Sequence, residues 1–372
     1  MANSSLVSEG TPDVDGHSTA TTQAQPDPAS GSSSPAFACQ QTDPGGNAII
    51  RRSLENQALS PQVANFVLSS WRHGTQLQYG GHLTKWISFC CIREIDPFSP
   101  PLAMLLEFLL QQFESGKADS SGLGYSSMNT LRSAISSVAN IDGRPAGQHP
   151  LVCRFMKAVF QQRPALPRYQ TTWDPDIVLR HLKSLGRNKN LTTIQLSRKL
   201  TMLLLLQSGQ RCQTLHLFDI RNMTLTSSKV SFRIGDLLKT SRPGHHISEL
   251  TLKAYAPDRR LCIVTTLNAY LERMRDIRGS NTQLFLTTRP PIKSATRDTI
   301  RRWTKDLLKA AGIDLNIFKP HSTRAAASSK AAQTVPLSTI IKAVGWSNSS
   351  TFAKYYNKPV LQQSTFSSAV LG

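Results

Sequence analysis

Four short segments in the C-terminal half of the sequence concentrate residue types that handle oxyanions and protons. Ser208-Gly209-Gln210-Arg211 closes the apolar run Leu203 to Leu206, where glycine breaks a helix and Arg211 begins a new turn. Lys239 comes just after the second strand of a predicted hairpin. His321-Ser322-Thr323-Arg324 follows Lys319-Pro320, so His321 opens a helix and Arg324 stands one turn later on the same face. Gly345-Trp346 precedes two adjacent phenols, Tyr355 and Tyr356, by about ten residues. Guanidinium groups present planar pairs of donors to an oxyanion, and imidazole or ammonium can pass protons. Taken singly, each segment has an ordinary structural reading: an arginine closing a helix is usually solvated, and a tryptophan near tyrosines is usually core. No carboxylate cluster of the kind that holds two metal ions is evident.

The elements that must hold these residues divide the chain in two. From Leu59 to about Phe160 the apolar residues recur at helical spacing, with no strand signal. Helices are predicted from Pro61, over Thr75–Cys91, Pro100–Phe113 and Ser126–Val138, and over Pro150–Gln162. Two prolines, Pro164 and Pro167, then interrupt the pattern as far as Trp173. Beyond them the pattern is mixed. Helices over Asp174–Ser184 and Thr192–Ser208 precede the alternating runs Met223–Thr226 and Val230–Ile234, a hairpin signal, and a third strand over His246–Leu252. Helices return over Ile263–Met274, Ala295–Ala311, Ser322–Ala332 and Leu337–Val344. The fold class is therefore α+β, mainly α. The boundaries read as an acidic disordered tail 1–57, a helical domain 58–163, a linker 164–173, a mixed domain 174–360 and a short tail 361–372.

Charge narrows the partner. The chain carries 43 Lys and Arg against 23 acids, yet its first 50 residues hold five acids and no Lys or Arg, leaving +25 on the remainder. A folded body that basic is suited to a polyanion, whereas the tail cannot bury enough apolar surface to order itself. No apolar run is long enough to span a membrane, and neither a secretion signal nor a lipidation motif is recognised, so a soluble intracellular protein without a membrane partner is expected. Six cysteines without C-x-x-C spacing read as reduced core residues rather than zinc ligands.

Over roughly residues 58 to 360, the order and spacing of the four segments resemble the tyrosine recombinase family, and more closely the recombinases of DIRS-like retrotransposons. In that family a small-Gly-x-Arg turn, a lysine on a hairpin loop, an H-x-x-R pair, and a His or Trp ahead of the nucleophilic tyrosine occur in this order. The resemblance implies a helical core-binding domain before a mixed α/β catalytic domain, which together clamp DNA. It implies that Arg211 and Arg324 grip the phosphate, that Lys239 protonates the 5′-hydroxyl, that His321 takes the phenol's proton, and that Trp346 donates to the phosphate or packs beneath the tyrosine. Tyr355 lies nine residues after Trp346, the spacing of many family members. In DIRS-like sequences that place often holds Phe and the next holds Tyr, which favours Tyr356. Neighbours on a helix diverge by ~100°, so only one can aim at the phosphate.

The resemblance further implies double-stranded DNA as partner, a homo-tetramer on synapsed DNA, nuclear location, integration of a circular DNA copy, and neither metal, other cofactor nor small-molecule ligand. Arg72, Lys85, Arg132, Arg154 and Lys157 are candidate DNA contacts in the helical domain, as are Arg297, Arg301, Arg302 and Lys305 in the catalytic one. Lys229, Lys253, Arg233 and Arg242 compete with Lys239. Where many members carry an acid three residues after the first arginine, this chain has Thr214. A domesticated or inactive DNA clamp and a type IB topoisomerase-like activity are the competing readings.

Overall fold

The computed structural model describes residues 46–115, 123–165, 169–346 and 348–360. The chain divides into two units between Ala165 and Leu166, inside the expected linker.

The first unit is helical: α1 (Gly46–Glu55), α2 (Pro61–Leu68), α3 (His73–Ile92), α4 (Leu102–Glu114), α5 (Tyr125–Ser136) and α6 (Pro150–Gln162). Ser60 caps α2 through its side chain and Pro61 occupies the first turn, where a missing N–H costs nothing. Trp86 on α3 anchors the core. Its ring meets Phe108 of α4 edge-on at 5.1 Å, and its indole N–H donates to Pro97 O at 3.1 Å. A two-residue hairpin, β1 (Asn140–Ile141) with β2 (Arg144–Pro145), turns through Asp142 and Gly143, both at positive φ. The sequence pattern showed no strand here, because two residues cannot display an alternation.

Helix α1 corrects the expected extent of the tail. Residues up to 45 lie outside the described ones, but Gly46–Glu55, placed in the tail by composition, are helical. Ile49 and Ile50 are buried in the core, and the Ser53 hydroxyl donates to Val138 O at 2.8 Å. Gly46 crosses Gly80 of α3 so closely that a Cβ on it would stand 2.1 Å from the Gly80 Cα. The C-terminal tail 361–372 also lies outside the described residues.

The second unit comprises α7 (Pro175–Ser184), α8 (Thr193–Ser208), α9 (Cys212–His216), strands β3 (Met223–Leu225), β4 (Lys229–Arg233) and β5 (Glu249–Lys253), then α10 (Ile263–Met274), α11 (Arg297–Ala310), α12 (Ser322–Ala331), α13 (Leu337–Val344) and α14 (Ser349–Tyr355). The strands form one antiparallel sheet in the order β3-β4-β5. Helix α8 runs through the middle of the core, buried on nearly every side and packed by α10, α11 and α12. A capping box between Thr192 and Gln195 fixes its start. The expected linker ends too late: the Trp173 indole is buried and donates to Ser322 Oγ at 2.8 Å, and Tyr169 packs edge-on against Phe318. These residues belong to the second unit's core.

The cysteines are only partly core. Cys90 and Cys262 are buried, while Cys91, Cys153 and Cys212 are half-buried, and Cys39 lies outside the described residues. Among the described residues no helix is long and apolar enough to cross a membrane.

Candidate active site

Two glycines allow the segments bearing the candidate residues to approach one another. Gly209 ends α8 in the left-handed conformation, with φ 61°, and a Cβ there would stand 2.8 Å from Val344 Cγ2. Gly345 ends α13 likewise, with φ 73°, and a Cβ would overlap Ile247 Cδ1 at 2.1 Å. Only glycine satisfies both the backbone angle and the space. As a result the turn that delivers Arg211 lies against the turn that delivers Trp346.

Arg211 and Lys239 are shared by two adjoining clefts. One is also lined by His321, Arg324, Arg297, Arg301 and Cys212, the other by Arg242, His245, Gly345, Trp346 and Thr351. Lys239 sits in the loop from β4 to β5. Its competitors Lys229 and Lys253 face each other across the β4–β5 ladder, Arg233 pairs there with Glu249, and none of the three lines either cleft. Arg242 does line one, and His245 Nε2 lies 3.4 Å from Gly345 O.

Arg324 rises from the first turn of α12 and is only 2% exposed. Its Nη2 donates to Val344 O at 3.1 Å, while Nε and Nη1 are buried without an acceptor among the described residues. The guanidinium lies 5.0 Å from the Trp346 ring centre and 5.5 Å from that of Tyr356. Among the described residues no carboxylate forms an ion pair with Arg211, Lys239 or Arg324. Burial, and then the neighbouring Arg211, lower the Arg324 pKa to about 9, so it remains a cation at neutral pH. The Trp346 indole N–H is likewise buried without an acceptor. Unsatisfied buried donors of this kind are rare, and a ligand that accepts from them would remove their cost.

The two tyrosines part company. Tyr356 is 8% exposed and belongs to a small apolar cluster with Ala325, Ile340, Val344, Trp346 and Phe352. Its ring lies 4.7 Å from that of Trp346, and its hydroxyl is 3.4 Å from His321 Nε2. Tyr355 is 56% exposed. His321 keeps an exposed edge, yet burial of its inner face and then the charges of Arg211, Arg324 and Lys239 lower its pKa to about 4, so the ring is neutral at physiological pH. Burial raises the pKa of the nearby Cys212 thiol, which keeps it protonated.

The candidate DNA contacts fall into groups. Arg297 and Arg301, four residues apart on the exposed face of α11, line the cleft with His321 and Arg324. Arg302 faces a separate groove with Arg198, Arg289 and Lys293, and Lys305 is exposed. In the first unit Arg72 precedes α3, Lys85 lies on α3, Arg132 on α5, and Arg154 and Lys157 on α6. All but the half-buried Arg132 are exposed. Gln210, 4% exposed and bonded across the site, was not singled out by the sequence pattern.

Residues 180–360 match the model of the phage integrase family, a span that contains every candidate catalytic residue. The second unit is thus similar to the phage integrase family over most of its length. Solved tyrosine recombinases share the architecture at low identity. XerH site-specific recombinase, bound to palindromic difH in a post-cleavage complex, matches at 15% identity with TM-score 0.53, covering 85% of this chain and 94% of that one. The Tn1549 transposon integrase in complex with circular intermediate DNA matches at 14% identity with TM-score 0.52, over 88% and 98% of the two chains. A lambda integrase dimer bound to a COC′ core site matches at 14% identity with TM-score 0.50, over 85% and 98%. A helical unit followed by a mixed α/β unit, the layout of these recombinases, is therefore the fold. No curated protein sequence matches this chain.

Proposed function

We propose that the protein is a site-specific DNA recombinase that cuts and rejoins strands through a 3′-phosphotyrosine on Tyr356. The observation that carries this reading is the convergence of unpaired cationic donors on one buried phenol, whose hydroxyl lies 3.4 Å from a neutral imidazole. Arg211 and Arg324 take the nonbridging oxygens of the scissile phosphate, where negative charge grows as the fifth bond forms. The unpartnered Nε and Nη1 of Arg324 and the Trp346 N–H are donors available for those oxygens. Tyr356 Oη attacks phosphorus, its proton passes to His321 Nε2, and Lys239 protonates the departing 5′-oxygen. A 5′-hydroxyl from the same or another strand then attacks the phosphotyrosine, releases the phenol and reseals the backbone. The arginines supply positive charge at the phosphate, and bound DNA partly neutralises the cluster, which raises the basicity of His321.

The substrate class follows from the resemblance to mobile-element recombinases. A circular DNA copy is proposed, recombined by a synaptic tetramer and, for a DIRS-like element, in the nucleus; the similar Tn1549 integrase is in complex with circular intermediate DNA. Arg297, Arg301, Arg302 and Lys305, together with the bases of the first unit, are assigned to the DNA backbone.

A nicked suicide duplex carrying candidate element termini tests the reading, with the covalent adduct mapped by peptide sequencing. The adduct is expected on Tyr356. Tyr356→Phe should keep the fold and DNA affinity while forming no adduct, and Tyr355→Phe should still form it. An adduct on Tyr355 would reverse the assignment. None on either residue, with DNA bound, would favour an inactive clamp, and relaxation of supercoils without exchange between duplexes would favour a topoisomerase.

A further inference from the structure

Gln210 stands between the two arginines, and its side chain belongs to neither the phosphate grip nor the proton transfers described above. It is 4% exposed. Its amide nitrogen donates to Ala343 O at 3.2 Å and to Val344 O at 3.3 Å, and its amide oxygen accepts from Thr214 Oγ1 at 3.3 Å. Val344 O is the same oxygen that accepts from Arg324 Nη2 at 3.1 Å. One carbonyl at the end of α13 therefore receives both the residue before Arg211 and the side chain of Arg324. Two residues further on, Trp346 packs on Tyr356.

We infer that Gln210 is a positioning residue that locks Arg211, Arg324 and Trp346 into one phosphate-binding constellation, with Thr214 orienting its amide. The inference rests on the recombinase reading above and deepens it. The chemistry of the amide suits the place. A carboxamide offers donor and acceptor at once, so it can bind two carbonyls and a hydroxyl without adding charge. A carboxylate at 210 would set negative oxygens against two carbonyl oxygens. A carboxylate at 214 would instead offset part of the positive charge that the fold leaves free for phosphate. Thr214 and Gln210 thus form a neutral clasp in which all of the positive charge of Arg211 and Arg324 remains for the ligand. Gly209 makes the clasp possible, because any Cβ there would push Val344 away.

Gln210→Met retains length and apolar volume but removes every polar atom of the amide. In the full-length protein it should melt within a few degrees of the parent and bind DNA within about twofold. Adduct formation on the suicide duplex should slow by roughly tenfold or more, the scale of an arginine displaced from developing charge. Thr214→Val should slow it by only two- to threefold, roughly, since one bond to the amide is lost. A double-mutant cycle separates positioning from a general structural loss. In an Arg324→Ala background Gln210→Met should cost clearly less, because one of the groups it positions is gone, whereas in a Lys239→Ala background its full cost should persist. Inorganic phosphate, titrated against the Nε–H NMR signals of Arg211 and Arg324, reads the same positioning with no bond cut, and its affinity should fall at least about fivefold in Gln210→Met. A parent protein that binds phosphate but forms no adduct would therefore overturn only the recombinase reading. Equal slowing in both backgrounds, or unchanged phosphate affinity, would overturn the role of Gln210.

Discussion

Among the described residues, the interior guanidinium of Arg324 donates from Nη2 to Val344 O, leaves Nε and Nη1 without an acceptor and forms no ion pair with a carboxylate. A buried, incompletely satisfied cation costs stability, and natural folds retain such a cost chiefly where function requires it. The cost spreads to His321, whose lowered pKa makes it a recorder of the cluster's charge. The folded imidazole titrates near about 4 against 6.5 for a free one, so between these values the unfolded chain binds more protons than the folded one. This part of the stability is complete above 6.5 and is lost as the pH falls toward 4. His321→Gln should remove that dependence, so the melting temperature of the parent should drop more between pH 7 and pH 5 than that of the variant. Parallel melting curves would show that the imidazole is not held neutral. At this scale the chemistry was largely legible: the two arginines, His321 and the tyrosine pair stand out by type and spacing. The resemblance already favoured Tyr356, but that this phenol turns inward while Tyr355 stays exposed depends on packing that a spacing of nine or ten residues does not display. Gln210 was illegible for a different reason. Its partners are backbone carbonyls 133 and 134 residues away, and no side-chain type announces them.

The helices were readable to within a residue or two wherever an apolar stripe coincided with a cap, as in α2, α6 and α8. Reading failed where an element owes its existence to a partner. Helix α1 follows a stretch rich in Ser, Pro and Gly, and its packing against α2 and α3 makes Ile49 and Ile50 core residues. The same cause misplaced the end of the linker, because the burial of Trp173 depends on Ser322, 149 residues later. Deletion analysis follows from the α1 result. Removing residues 1–45 should leave the melting temperature within a degree or two of the parent. Extending the deletion through Glu55 strips two buried isoleucines from the first unit's core, each worth about 1.5–3 kcal/mol, together with the Ser53 bond to Val138 O. The longer deletion should lower the denaturant midpoint sharply, and equal midpoints for the two proteins would make α1 a dispensable appendage.

For the molecule as a whole, charge is the dominant quantity: +20 in total, and +25 once the acidic first 50 residues are set aside. The ion pairs among the described residues engage bases such as Arg198, Arg221, Arg260 and Lys330, not those lining the clefts that share Arg211. Cations left free by the fold release condensed counterions when they meet DNA, so affinity should fall with salt at about 0.9 log units per phosphate neutralised for each log unit of salt. With bases available on both units, a log–log slope of magnitude at least ~5 is expected in fluorescence-anisotropy titrations of the full chain. Single substitutions should then divide the basic residues by role. Lys305→Gln, on the exposed face of α11, should reduce the slope by about one and weaken all sequences alike, with the rate of adduct formation at saturating protein unchanged. Arg211→Ala should reduce the slope similarly but also abolish most of the adduct, because its donors are needed at the reacting phosphate rather than along the backbone. A slope near zero would mean that the excess charge serves something other than DNA. Loss of adduct in Lys305→Gln at saturation would move that helix face from grip into the catalytic machinery.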